Sequence, residues 1–384
     1  MNFTTNTLLN STASPQCVLG VSSRSTKTGL TCAYLFIFIV AVIGNTVVIY
    51  IVRNEKRLRI SFNYFILSMA TADLLHAVFA IPANISYLYV QTGWFSGSFG
   101  TFLCKFVHYG TTVSIVASIT TLSVTTIERY LAARLVLKRP MTERFAKRAI
   151  ALIWLISGLL SINELVKYTV IPHRNSTFHC MPALVPDRKH RYAIEMTVKF
   201  IITYAFPLIT MATLYTIIIW YLWQHNVKGV LNSDSYRRIQ KRKRNLIKRL
   251  ITITCLFALC WLPVHVNHFM ATFHYQTYKC MPHYWPLLFF WLAHANSALN
   301  PILYLLLTKN ARSLFRSSVH AARGDGNDTG SRRTTSRRKR MLQRLQSESR
   351  IFNACFTADT PLDVADDVKA NDGAFRGVRA GPRF

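Results

Sequence analysis

Residues 30–52 read LTCAYLFIFIVAVIGNTVVIYIV, an apolar run without a single Asp, Glu, Lys or Arg. A helix needs about 20 apolar residues to cross the hydrocarbon layer of a membrane, because only internal hydrogen bonds satisfy its backbone there. The run therefore predicts a membrane-spanning helix. Because the apolar residues are gathered in long runs and not dispersed at amphipathic spacing, the pattern argues against a water-soluble core.

The same pattern recurs along the chain. Six further candidate spans are Ile60–Val90, Phe106–Ile127, Ala149–Tyr168, Phe200–Trp223, Leu250–Tyr278 and Met281–Thr308. The span at Ala149 reaches the required length only when it is extended through Glu164. Seven spans predict an all-α membrane protein, a seven-transmembrane helix bundle that occupies residues 30–308.

The formal net charge of +30 raises the question of nucleic-acid binding, but the placement of the charges answers it. Of the 46 Lys and Arg residues, 36 lie in alternate segments between the predicted spans and in the C-terminal tail, at 53–59, 129–148, 228–249 and from 309 onward. By the positive-inside rule, these segments are cytoplasmic and the N-terminus is extracellular. We therefore expect a multi-pass protein of the plasma membrane, in contact with the lipid bilayer and not with nucleic acid.

Glycosylation sequons agree with this orientation, since Asn2, Asn10 and Asn175 all fall on predicted extracellular segments. The sequon at Asn84 lies inside a predicted span and is interpreted as a chance match.

Four of the eight cysteines lie on the predicted extracellular side, where disulfides persist. Cys104 is at the outer start of the third span and Cys180 is in the long loop after the fourth, which favours a bridge between them. A second bridge from Cys17 to Cys280 would hold the N-terminal tail over the bundle. The alternative is two free or differently paired thiols.

Polar side chains inside spans are energetically expensive and normally face the bundle interior. Those of this chain occur in motifs, which are Gly44-Asn45, Leu67-Ser-Met-Ala-Thr-Ala-Asp-Leu74, Glu128-Arg129-Tyr130, Phe257-Ala-Leu-Cys-Trp-Leu-Pro263 and Asn296-Ser-Ala-Leu-Asn-Pro-Ile-Leu-Tyr304. In this order and at these ends of the spans, the motifs resemble the rhodopsin-like family of G-protein-coupled receptors, over about residues 30–318. The first outer loop, the second span and the short third inner loop are similar to those of neuropeptide receptors.

The resemblance implies a receptor that binds an extracellular ligand and activates a heterotrimeric G protein. It assigns the G-protein switch to Glu128, Arg129, Tyr130, Leu137 and Tyr215. The structural alternative for Arg129 is an ordinary positive-inside arginine at a helix end. The activation core implied by the family is Asn45, Phe257, Trp261, Pro263, Asn300, Pro301 and Tyr304.

Asp73, Ser118, Asn296 and Asn300 resemble the sodium site of the family, with the carboxylate supplying the charge. No cofactor is expected, and Na⁺ in the transmembrane core is a hypothesis. The alternative is a protonated Asp73 within a hydrogen-bonded network.

Two positions narrow the class of ligand. Thr111 stands where receptors for amines carry an aspartate, and His294 stands where opsins carry the retinal lysine. A peptide is therefore the expected ligand, with candidate contacts at Thr111, Thr112, Glu164, Glu195, His265, His268 and His294. Glu164 and Glu195 either meet a basic group of the ligand or pair with Lys167, Lys199 or Arg191 of the receptor itself.

The ends of the chain lie outside the bundle. Residues 1–29 form an extracellular tail, residues 309–319 are expected to form a short amphipathic helix on the membrane surface, and residues 320–384 are expected to be a disordered cytoplasmic tail. Serines and threonines among the arginines of that tail suggest receptor kinases and arrestin as partners, with an unregulated basic tail as the alternative.

Three alternatives to a peptide receptor stay open, namely a receptor for a non-peptide small molecule, a transporter-like protein and a ligand-binding protein that does not signal. We do not expect an enzyme, because the sequence has no metal-ligand cluster, nucleotide-binding loop or nucleophile elbow.

Overall fold

The computed structural model describes residues 23–54, 61–134, 142–173, 177–183, 188–227, 234–282 and 284–307. Its helices are α1 (Arg24–Asn54), α2 (Ser61–Val90), α3 (Gly97–Arg134), α4 (Glu143–Lys167), α5 (Arg188–Phe200), α6 (Phe206–Val227), α7 (Asp234–Phe273), α8 (Tyr275–Lys279) and α9 (Tyr284–Leu307). Two strands, β1 (Tyr168–Pro172) and β2 (Phe178–Pro182), follow α4. The predictions that lie outside the described residues concern Asn2, Asn10, Cys17, Leu137, Asn175, the amphipathic helix 309–319 and the tail 320–384.

Six helical segments are long and apolar enough to cross a membrane by their length and composition, within the part of the chain that the structure describes. They include Glu143–Lys167, which the sequence marked as marginal. The seventh predicted span corresponds to α9, which contains no Asp, Glu, Lys or Arg and buries His294, Asn296 and Ser297 inside the bundle. The all-α seven-helix architecture is therefore confirmed.

The helix ends differ from the predicted spans. The third helix begins at Gly97, nine residues before the predicted Phe106, and the fifth begins at Arg188 instead of Phe200. The predicted span Leu250–Tyr278 is wrong at its end, because α7 stops at Phe273, His274 leaves helical geometry and Tyr275–Lys279 forms a separate short helix. A run of apolar residues marks only the part of a helix that lies in hydrocarbon, and backbone hydrogen bonding continues beyond it.

The helices pack around α3, which contacts α2, α4 and α6, while α1 and α7 each contact α9. Between α5 and α6 the chain makes a π-helical turn at Ile201–Ala205. The wider turn buries Tyr204, whose hydroxyl donates to the carbonyl oxygen of Ala258 in α7 at 2.8 Å. The π-turn thereby joins the fifth helical segment to α7.

The two strands form an antiparallel hairpin that pairs Val170 with Cys180. The hairpin is also bound to the α2–α3 loop, since the amide of Cys180 donates to the carbonyl of Thr92 and the amide of Trp94 donates to that of Phe178, both at 2.8 Å. It therefore lies at the end of the bundle where α3 begins, which we call the disulfide end. The opposite end, where α3 carries Arg129, is the Arg129 end.

α1 and α9 approach each other closely at Gly44. A Cβ atom at this position would lie 2.7 Å from Cγ of Pro301, far inside van der Waals contact. Glycine is required here by the neighbouring helix, and it brings Asn45 within reach of the backbone of α9.

Candidate ligand-binding and signalling site

The disulfide predicted between Cys104 and Cys180 is present, with their Cα atoms 5.8 Å apart. It ties the hairpin to the second turn of α3. Cys280 is also disulfide-bonded, and its partner lies outside the described residues, so the bridge to Cys17 stays a prediction.

A polar cluster surrounds Asp73 in the middle of the bundle, where the carboxylate is 1% exposed. The amide of Asn300 donates to Oδ2 at 2.7 Å, and the hydroxyls of Ser118 and Ser297 both donate to Oδ1 at 3.3 Å. Ser297 was missed by the sequence analysis, which selected its neighbour Asn296. Asn296 is buried, but it makes no hydrogen bond to Asp73 within the described part of the chain.

Asn45 connects this cluster to the close contact between α1 and α9. Its amide donates to the carbonyl of Ala41 at 2.9 Å and to the carbonyl of Ser297 at 3.0 Å. Pro301 lies four residues after Ser297 and has no amide proton, so it cannot donate to the Ser297 carbonyl. The Asn45 amide donates to that carbonyl instead. The Asn45 and Pro301 positions of the predicted activation core are therefore coupled directly.

A small cavity of about 70 Å³ adjoins this cluster. Apolar side chains form most of its lining, and its polar lining residues are Asn45, Asp73, Thr125, Arg249, Asn300 and Tyr304. Its oxygen-rich end suits a hard cation or ordered water, since both are held by carboxylate, hydroxyl and amide oxygens.

Glu128 and Arg129 form an ion pair at the Arg129 end, with 6% and 3% of their surfaces exposed. A buried arginine without a partner would be strongly destabilising, so a neighbouring carboxylate is needed to hold it there. Thr126 precedes Glu128 by two residues in α3 and is hydrogen-bonded to Tyr215 of α6 at 2.8 Å. The Tyr215 hydroxyl is also hydrogen-bonded to Thr254 of α7 at 3.2 Å. The Tyr215 hydroxyl therefore joins α3, α6 and α7 beside the ion pair.

Trp261 lies in the turn of α7 that precedes Pro263, and its ring centroid is 6.0 Å from that of Phe257. The ring is also close to His265, at 6.5 Å, and to His76, at 6.1 Å. Its indole nitrogen is buried and makes no hydrogen bond within the described residues. Trp261 thus contacts its neighbours through its aromatic faces and edges, and no polar contact fixes its orientation.

Toward the disulfide end, four charged residues form one network. Lys199 pairs with Glu164 and, at 2.6 Å, with Glu195, which also pairs with Lys167 at 2.7 Å. Of the alternatives for the two glutamates, pairing with receptor lysines is the one observed. The network has two charges of each sign and is neutral as a whole.

Aromatic rings border this network. His108 stacks on Tyr168 with ring centroids 3.6 Å apart, and the Lys167 ammonium lies 5.3 Å from the Tyr168 ring and 5.7 Å from the Tyr192 ring. Burial, reinforced by the nearby carboxylates, raises the pKa of the Tyr168 hydroxyl, which stays protonated at physiological pH.

The remaining predicted ligand contacts are distributed between this region and the centre. His265 packs against Phe200 and Tyr204, and His268 packs against Phe290. His294 lies deeper, with only 4% of its surface exposed and both ring nitrogens hydrogen-bonded. Among the described residues, no group of three or more His, Cys, Asp or Glu is arranged to hold a metal ion.

Comparison with known proteins agrees with the seven-helix membrane fold. The model of the family described as 7 transmembrane receptor (rhodopsin family) matches residues 44–304. The chain is 30% identical over 297 residues to the RYamide receptor of Drosophila melanogaster, covering 76% of this chain and 63% of that receptor. It is 32% identical over 289 residues to the neuromedin-K receptor of Homo sapiens, covering 74% of this chain and 60% of that receptor.

A third similarity covers more of the relative. The chain is 33% identical over 286 residues to galanin receptor 2a of Danio rerio, covering 74% of this chain and 76% of that receptor. The chain spans 63% and 60% of the length of the RYamide and neuromedin-K receptors.

Proposed function

The chain belongs to the rhodopsin-like family of seven-transmembrane receptors, and on this premise we propose that it binds an extracellular peptide and activates a heterotrimeric G protein. Members of this family are signalling receptors and not enzymes. The observation that carries the proposal is the buried Glu128–Arg129 pair at one end of a bundle whose other end has a rigidly held hairpin.

The mechanism is a shift between two arrangements of the helices. In the arrangement described here, Arg129 is paired with Glu128. A ligand that binds a second arrangement more tightly shifts the population toward it, and Arg129 then exchanges its carboxylate for contacts with the G protein. Tyr215 lies where α3, α6 and α7 meet, so movement of α7 must break or remake its bonds to Thr126 and Thr254.

A peptide ligand is supported by the relatives, whose names identify them as receptors for RYamide, neuromedin-K and galanin. It is also supported by the mixture of ion pairs, imidazoles and phenol rings toward the disulfide end. The Glu164–Lys199–Glu195–Lys167 network is neutral, so a charged ligand group is accommodated best when it takes over the ion pair of a network residue that has the same charge. This requirement favours ligands that carry a charge in the matching place.

The remaining assignments extend the proposal. The positive-inside rule puts the disulfide end outside the cell and the Arg129 end in the cytoplasm. Na⁺ would be held by the oxygens of Asp73, Ser118, Asn296 and Asn300, of which Ser118 and Asn300 are hydrogen-bonded to Asp73 in the present arrangement. Receptor kinases and arrestin would act on the serine- and threonine-containing tail.

The test is a second-messenger assay in transfected cells, which records calcium release and inhibition of cyclic AMP. The cells are exposed to RYamide, neuromedin-K, substance P and galanin peptides and, separately, to a panel of amines. Arg129→Ala removes the switch residue, and Arg53→Ala removes an exposed arginine in the last turn of α1 as the matched control.

We expect at least one peptide to give a response that Arg53→Ala retains and Arg129→Ala loses while it stays at the cell surface. A response to an amine and to no peptide would refute the peptide assignment. A full response from Arg129→Ala would refute the switch.

A further inference from the structure

Four side chains form a continuous hydrogen-bonded chain through the centre of the bundle. Nδ2 of Asn84 is 3.0 Å from Nε2 of His294, and Nδ1 of His294 is 2.8 Å from Nε2 of His76. Nδ1 of His76 is 3.4 Å from Oγ of Ser114, which donates to the carbonyl of Thr111 at 2.7 Å. We call Asn84, His294, His76 and Ser114 the histidine chain.

The proton positions in the histidine chain follow from its two ends. Ser114 uses its one proton on the Thr111 carbonyl, so it can only accept from His76, and His76 therefore carries its proton on Nδ1. Nε2 of His76 is then an acceptor, which requires a proton on Nδ1 of His294.

The other end gives the same answer. Nδ2 of Asn84 also donates to the carbonyl of Ala80 at 2.9 Å, a contact that only the nitrogen of the amide can make. Nε2 of His294 must therefore accept from Asn84, which again leaves the proton of His294 on Nδ1. Both imidazoles are neutral Nδ1–H tautomers, and every link has one donor and one acceptor.

The histidine chain links three helices that carry predicted functional residues. Asn84 and His76 are on α2, His294 is on α9 and Ser114 is on α3, so one imidazole of α9 is held between two side chains of α2. His76, His294 and Ser114 are 3%, 4% and 0% exposed, so a broken link would strand a donor or acceptor away from water.

The histidine chain also lies against Trp261. The rings of His76 and Trp261 tilt toward each other at 56°, with centroids 6.1 Å apart, and the indole nitrogen of Trp261 makes no hydrogen bond within the described part of the chain. The orientation of Trp261 thus depends on the rings around it, and the orientation of the His76 ring is fixed by His294 and Ser114.

We propose that His76 is a positioning residue which, through the histidine chain, holds α2, α3, α9 and the Trp261 ring in the arrangement that keeps Arg129 paired with Glu128. The inference rests on the proposed function for its signalling consequence, but the tautomers can be tested without it. No single motif in the sequence indicated His76, because an isolated histidine in an apolar run is usually a hydrogen-bonded core residue.

The first test is nitrogen-15 NMR of histidine-labelled full-length protein in lipid nanodiscs, with His76→Phe and His294→Phe used to assign the two signals. We expect both imidazoles to be neutral with the proton on Nδ1. A proton on Nε2 of either ring would overturn the proposed histidine chain, whether or not the protein acts as a signalling receptor.

The second test is a double-mutant cycle on ligand-independent signalling at equal surface expression. His76→Phe keeps a ring against Trp261 but strands the Nδ1–H group of His294, so we expect signalling to rise about threefold, the factor that corresponds to an average interhelical hydrogen bond in a membrane protein. The double variant His76→Phe/His294→Phe strands no polar group between the two rings, so its signalling should be no higher than that of His76→Phe.

Tyr34→Phe is the matched control, because it removes a buried 2.6 Å hydrogen bond to the Leu287 carbonyl of α9 that does not belong to the histidine chain. We expect it to leave signalling near the wild-type value. An unchanged or lowered signal in His76→Phe, or effects of the two histidines that multiply, would overturn the proposal. Silence of every variant to peptides, with both Nδ1–H tautomers observed, would instead count against the proposed function.

Discussion

Replacing Glu164 by glutamine tests whether the charge network toward the disulfide end stabilises the bundle. The Glu164 side chain is 4% exposed and its ion-pair partner Lys199 is 32% exposed. Glutamine keeps the shape and removes the charge, which leaves two lysines to share Glu195.

The expected loss of unfolding free energy follows from these exposures. Removing one member of a fully buried pair costs about 3–5 kcal/mol. Lys199 keeps Glu195 and is partly hydrated, so we expect about 1–2 kcal/mol instead. For a bundle of this size, that corresponds to a melting temperature lower by about 2–4 °C.

The assay is the thermal unfolding of purified protein in nanodiscs, read by a thiol-independent fluorescence probe. Glu143→Gln is the matched control, because Glu143 and Lys147 form an ion pair of similar length on the surface, with side chains 43% and 59% exposed. We expect this control to lose no more than about 0.5 kcal/mol.

A second variant separates charge from packing. Glu164→Gln/Lys199→Met removes one charge of each sign, so we expect it to be more stable than Glu164→Gln alone. Equal melting temperatures for Glu164→Gln and the wild type, or strictly additive losses in the double variant, would refute a stabilising role for the pair.

Three further predictions concern the fold and the central site. Cys104→Ser should lower the unfolding free energy by about 2–5 kcal/mol and reduce surface expression, which flow cytometry measures; wild-type expression would contradict it. Gly44→Ala should destabilise the bundle by about 1–3 kcal/mol, because its Cβ would press on Pro301, whereas Gly29→Ala, with nothing within 4 Å of the new Cβ, should be neutral or stabilising in the same melting assay. Asp73→Asn should abolish any dependence of peptide affinity on Na⁺ in binding measured with sodium against choline chloride, and retained sensitivity would place the ion elsewhere.

The membrane class and the number of spans were predictable from the sequence because the thickness of hydrocarbon imposes a minimum apolar length. The ends were not, because they depend on backbone bonds outside the hydrocarbon. The start of α3 at Gly97 and the break at His274 are examples. Nothing in the hydropathy of these residues distinguishes a continuing helix from a loop.

The central site was predictable to within one residue. The motif around Asp73 and Asn300 indicated the polar cluster, but it did not indicate that Ser297 donates to the carboxylate, and Asn296 as a sodium ligand stays a prediction. Neighbouring residues of a helix point about 100° apart, so the choice between them depends on the rotation of α9, which no local pattern encodes. The bonds of Tyr215 to Thr126 and Thr254 were missed for the same reason, since they depend on how three helices face one another.

The hairpin at the disulfide end has a consequence for the affinity with which a ligand binds there. Its disulfide to α3 and its two backbone bonds to the α2–α3 loop are made when the protein folds. A surface that is already ordered loses little conformational entropy on association, so more of the contact energy appears as affinity. If the ligand is a peptide, as proposed, it adapts its own shape to a preformed rim, and we expect most of the ordering entropy of the complex to come from the peptide.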